Sequence, residues 1–169
     1  MRKALVTISS AALLFTSWQV ASAQTARRSP ADNPDIKELS TYTLTLDTLA
    51  KVDRANRAMV ASFQKDPTAG DPRGVSAKTI ADLEQKIAAT PVMASALEHE
   101  GVTPREYARF TMALLQASFT LGAKQRTEKA GRPFQIPEGV NPANVTFVQE
   151  HEAELKRMQE VYAQLGPIK

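Results

Sequence analysis

The chain has 169 residues, 21 Lys and Arg against 18 Asp and Glu, and no cysteine. That length supports one domain around one core, and the missing cysteine excludes disulfides, haem attachment through CxxCH, thiol chemistry and a lipid-modified N-terminal Cys. Only 6% of residues are aromatic, and strand-like runs of Val, Ile, Tyr and Phe with period two are missing, which suits helix packing better than sheet packing and points to an all-α fold.

Residues 1–23 read as a cleavable signal peptide. Arg2 and Lys3 precede a mostly apolar run from Ala4 to Val20, and Ala21-Ser22-Ala23 fits the small-x-small cleavage rule. Cleavage starts the mature chain at Gln24 and places the protein in the periplasm or outside the cell. Loss of Arg2 and Lys3 leaves 19 cations against 18 anions. A net charge of +1 gives no support for a nucleic-acid partner. Residues 24–33, QTARRSPADN, form a polar leader without periodicity, expected to be disordered. The domain proper is then 34–169.

Four helix starts share one device, a capping residue followed by Pro: Asn33-Pro34, Thr90-Pro91, Thr103-Pro104 and Asn141-Pro142. The first side chain accepts from a free N–H of the first turn, while Pro has no N–H to leave unsatisfied and a helical φ. Glu106 completes a capping box with Thr103. The first predicted helix runs from Pro34 to Lys65. Tyr42, Leu46, Val52, Val60 and Phe63 fall within about 60° of Leu49 around its axis. Residues 66–75, DPTAGDPRGV, are a loop. Ser76 is the expected cap of a second helix with Ile80, Leu83 and Ile87 inward. Thr90-Pro91 opens a short third helix, closed at Gly101.

The fourth helix, Pro104 to Lys129, contains FTMALLQASFTLGA (110–123), a span with no charge. Phe110, Leu114, Ala117 and Leu121 share one face; Met112, Leu115 and Phe119 share the opposite one. A helix apolar on two sides needs cover on two sides, so this span is the expected central helix of a four- to five-helix bundle. At 14 residues it is too short for a membrane span, which needs about 20. No stable membrane span is expected once the signal is removed. Gly131 stops the helix and 131–141 is an extended connection. A fifth helix runs from Pro142 to Leu165, with Val148, His151, Leu155, Met158, Tyr162 and Leu165 inward.

His151 is the most suggestive polar residue, because that spacing puts it on an apolar face. Glu154 lies three residues on, and carboxylate–His pairs at helical spacing build metal sites in bundles. His151 with Glu154, and with Asp53 from the first helix, is therefore the candidate metal set, although a dedicated site needs three or four ligands. Asp53 and Asn56 interrupt the apolar arc of the first helix, and buried polar groups require partners. Arg109, Tyr107 and His151 are the available ones. Asp53, Asn56, Tyr107 and His151 form the candidate ligand pocket. The triplets Glu98-His99-Glu100 and Glu150-His151-Glu152 do not each converge on an ion, since adjacent helical residues point 100° apart. Lys124, Arg126, Lys129 and Arg132 complement a helix dipole, and Met59, Met93, Met112 and Met158 are core filler. No G-x-S-x-G, H-E-x-x-H, P-loop or dinucleotide motif occurs, so neither an enzyme nor a cofactor is expected.

GVTPREYA (101–108), the charge-free helix and NPANVTFVQEH (141–151) together resemble a group of small exported bacterial helical proteins of uncharacterised activity. The resemblance implies an exported α-helical domain and brings no site residue. The expectation is thus an exported, non-catalytic bundle that binds a protein partner or small ligand, with a metal-binding bundle using His151 as the alternative.

Overall fold

Seven α-helices and one 3-10 turn, with no strand, make up the described residues of the computed structural model, which are 33–165 apart from 70, 73, 74 and 76. The signal segment 1–23, leader residues 24–32 and Ser76 lie outside the described residues. The helices are α1 (Pro34–Thr41), α2 (Leu46–Lys65), α3 (Ile80–Ala88), α4 (Pro91–His99), α5 (Pro104–Lys129), α6 (Pro142–Glu150) and α7 (Glu152–Ala163), with the 3-10 turn at Pro67–Ala69. No helix among these residues is long and apolar enough to cross a membrane.

Three of the four expected caps act through their side chains. Asn33, Thr103 and Asn141 accept from the backbone N–H of Asp35, Glu106 and Ala143. Thr90 makes no such bond; its hydroxyl donates back to the Lys86 carbonyl. Thr79, rather than Ser76, caps α3. Gly101 and Gly131 end α4 and α5 with φ of +65° and +68°. In each case the next residue's N–H reaches the carbonyl five back, Val102 to Leu97 and Arg132 to Thr127, which closes the helix and favours Gly at the left-handed position.

Both long predicted end helices are divided. Residues 42–45 run extended between α1 and α2, so Pro34–Lys65 is not one helix. The cause lies far along the chain. Asn144, 1% exposed, accepts from the Leu44 N–H at 2.8 Å and donates to the Tyr42 carbonyl at 2.9 Å. Asn141 donates to the same carbonyl at 2.8 Å. These bonds satisfy an extended backbone, which lets Tyr42 and Leu44 turn into the core. At the other end, His151 (φ −113°, ψ 29°) separates α6 from α7. The break is shallow, since His151 still donates to Phe147 and still accepts from Leu155.

One buried cluster runs through all seven helices, from Leu39 in α1 to Met158 in α7. Helix α5 packs chiefly on α3 and α6 and also meets α1 and α4, while α2 packs on α4 and α7. Ala108, Ala113 and Ala117 of α5 are fully buried, small enough to let neighbours approach closely. The expectation of cover on both sides of the charge-free span is corrected here. Phe110, Ala117 and Leu121 are buried and Leu114 half-buried, but Leu115 and Phe119 are 54% and 69% exposed. Met112 on that second face still packs against the core, so the face is covered at Met112 and open at Leu115 and Phe119. Leu46, expected inward on the first helix, is likewise exposed. At the start of α5, Arg105 bridges Glu38 of α1 at 2.8 Å and Glu84 of α3 at 3.1 Å. Arg109 stacks 4.7 Å above the Tyr42 ring, its Nε 3.2 Å from Glu38 Oε1 but outside hydrogen-bond geometry.

Candidate functional site

Asn56 lies two turns after Leu49 on the inner stripe of α2, with Val52, Ala55, Met59 and Val60, and is 2% exposed. An amide buried that deeply requires partners, and two other helices supply them. Tyr107 of α5 donates to Asn56 Oδ1 at 2.9 Å, and Tyr162 of α7 donates to the same oxygen at 2.8 Å. The two tyrosine oxygens stand 3.2 Å apart. Burial pushes both phenols well above the ordinary range, and for Tyr162 the adjacent Tyr107 pushes further the same way. Both stay protonated and neutral at physiological pH.

This triangle sits at the side of a cleft of about 230 Å³. Tyr107, Thr111 and Tyr162 give it one polar wall, and Pro72, Val75, Leu83 and Met93 give it an apolar one. Among the described residues no charged side chain lines it. An apolar recess with a few convergent polar groups is the form that small-molecule sites take.

The structure brings together two of the four predicted pocket residues, Asn56 and Tyr107, and leaves the other two elsewhere. Asp53 pairs with Arg57 at 2.9 Å in a separate cleft of about 320 Å³ between α2 and α7, floored by Leu46, Leu49 and Ala50. Glu154 lines that same cleft and pairs with Arg157 at 3.2 Å. His151 sits at the α6–α7 break, half-buried, its ring 4.5 Å from that of Phe147. No hydrogen bond or ion pair joins it to Asp53 or Glu154 among the described residues. The carboxylates are turned to arginines one helical turn away in their own helices. Among the described residues no group of three or more His, Asp or Glu is arranged to hold a metal ion.

Tyr162 is the site residue that sequence reasoning missed. It was placed on the apolar stripe of the last helix, and a phenol on such a stripe needs a partner for its hydroxyl. That signal calls for a polar partner on a facing helix, and Asp53, Asn56 and His151 were the polar residues on apolar faces.

No protein family, no curated protein and no solved structure matches the chain.

Proposed function

We propose that this is an exported, non-catalytic helical-bundle protein that binds a small, largely apolar molecule in the cleft beside Tyr107 and Tyr162. The observation that carries the reading is the shared acceptor. Asn56 Oδ1 holds two phenol hydroxyls from two different helices, and both tyrosines line a cleft with no charged side chain among the described residues. Both lone pairs of that oxygen are taken by phenols from different helices. Two rigid aromatic rings fixed by one amide make a preorganised wall, which lowers the cost of binding. The volume falls below the roughly 300 Å³ at which drug-sized sites begin, so the occupant is small. Export is supported by the signal-like residues 1–23 and by the resemblance to small exported bacterial proteins.

The test is an NMR screen of single-ring alcohols, amines and acids against the purified protein, read at the methyl groups of Val75, Leu83 and Met93. Shifts concentrated at these methyls support the cleft as the site. Shifts only at Leu46 and Leu49, or at none of these groups, sink it. N-terminal sequencing of protein recovered from a bacterial host tests export; a start at Gln24 is expected and a start at Met1 refutes it.

A further inference from the structure

The triangle of oxygens beside the cleft is short of hydrogen atoms, and that shortage selects a ligand class. Asn56 Oδ1, the Tyr107 hydroxyl and the Tyr162 hydroxyl make three oxygen–oxygen contacts, at 2.9, 2.8 and 3.2 Å. The amide oxygen carries no hydrogen, and each phenol carries one. Two hydrogens therefore serve three contacts. When both phenols donate to Asn56, their own oxygens face each other across 3.2 Å with lone pairs only. The triangle is therefore one hydrogen short. An additional donor relieves it; an additional acceptor meets lone pairs already crowded.

Resting on the cleft as the binding site, we infer that its ligand is an uncharged single-ring or similarly small apolar molecule bearing an O–H or N–H donor. The donor is received by the tyrosine oxygens and the apolar body lies against Leu83 and Met93. Anions are disfavoured, since both phenol hydrogens are already engaged on Asn56. Size agrees: a dry apolar cavity of about 150 Å³ takes up benzene, so about 230 Å³ leaves room for one ring and a substituent.

The experiment titrates phenol, anisole and benzoate into the protein, reading the same Val75, Leu83 and Met93 methyl shifts. Phenol and anisole share a ring and differ in the donor. Phenol is expected to bind about fivefold more tightly than anisole, the worth of one hydrogen bond, with benzoate weakest. In Asn56→Leu a phenol hydrogen is released toward the cleft, and the preference for phenol is expected to fall toward unity. Equal binding of phenol and anisole to the unaltered protein, tighter binding of benzoate, or an unchanged preference in Asn56→Leu overturns the inference and leaves the cleft reading standing. If none of the three probes moves these methyls, the cleft reading fails and the inference with it.

Discussion

Asn144 and Leu44 are a hundred residues apart in sequence and joined by one buried hydrogen bond, from the Leu44 backbone N–H to Asn144 Oδ1 at 2.8 Å. The bond is why the chain leaves helical geometry after Thr41. It gives an extended backbone group a partner that no local residue offers. The same amide donates to the Tyr42 carbonyl at 2.9 Å, so both of its ends are committed to the link between α1 and α2.

Asn144→Ala is expected to destabilise the fold by about 2–3 kcal/mol, from an orphaned Leu44 N–H and a small cavity. Asn141 still donates to the Tyr42 carbonyl, which keeps the loss below that of two orphaned groups. Urea denaturation measures it; a loss under about 0.5 kcal/mol, the level of a neutral surface change, rejects the latch.

Alkaline pH is expected to unfold the protein in a tyrosine-linked way. The chain has three tyrosines, and all three phenols are raised above their ordinary value. Burial is the main cause in each case, with Glu106 adding to it at Tyr42. A raised acid holds its proton in the folded state after the unfolded chain has lost it. Stability is therefore flat below about pH 10 and falls above it, by about 1.4 kcal/mol per pH unit for each tyrosine. Phenolate absorbance should rise in one step together with loss of helical circular dichroism. Gradual titration of all three near pH 10 in a folded chain contradicts this.

Asn56 should couple strongly to its two phenols. Tyr162→Phe is expected to cost about 1 kcal/mol and Asn56→Ala about 3 kcal/mol, since the latter leaves two buried hydroxyls without their acceptor. The double mutant should cost less than the sum by at least about 0.5 kcal/mol. Strict additivity in thermal denaturation contradicts the shared acceptor.

The two faces of α5 should respond oppositely to truncation. Phe110→Ala is expected to cost about 3–5 kcal/mol, because the side chain is 1% exposed. Phe119→Ala, at 69% exposed, should cost no more than about 0.5 kcal/mol. Comparable losses, read by denaturant midpoint, contradict the one-sided burial.

Two glycines with positive φ should separate strain from crowding. Gly101→Ala meets open space and is expected to cost about 1 kcal/mol for the backbone alone. At Gly139 (φ +85°) an added Cβ overlaps Ile36 Cγ2 of α1, so Gly139→Ala should cost about 2–3 kcal/mol. Adding Ile36→Ala should recover part of that difference; equal costs for the two glycine changes contradict the close approach.

Local signals were readable and long-range ones were not. Pro with its capping partner located the starts of α1, α4, α5 and α6, and Gly131 located the end of α5 at Lys129. Those depend on a few neighbouring residues. The extended link at 42–45 depends on Asn144 and Asn141, which periodicity within residues 34–65 does not contain. The local hint was the alternation Thr41-Tyr42-Thr43-Leu44-Thr45, with stiff β-branched side chains between apolar ones. The exposed Phe119 was misread because an uncharged run reports low polarity and not cover. In the site, Asn56 was legible as a polar group on a core face and Tyr107 as one of its available partners, whereas Asp53 found its arginine one turn away. Periodicity gives the face a residue occupies, and only the packed helices decide its partner.

Asn56 waits for one phenol 51 residues further on and another 106 residues further on. A growing polypeptide that stops short of Tyr162 holds that amide one partner short, next to a core still open on the α7 side. Final closure must therefore wait until Tyr162 has emerged, and deletion of α7 should trap an incompletely assembled intermediate.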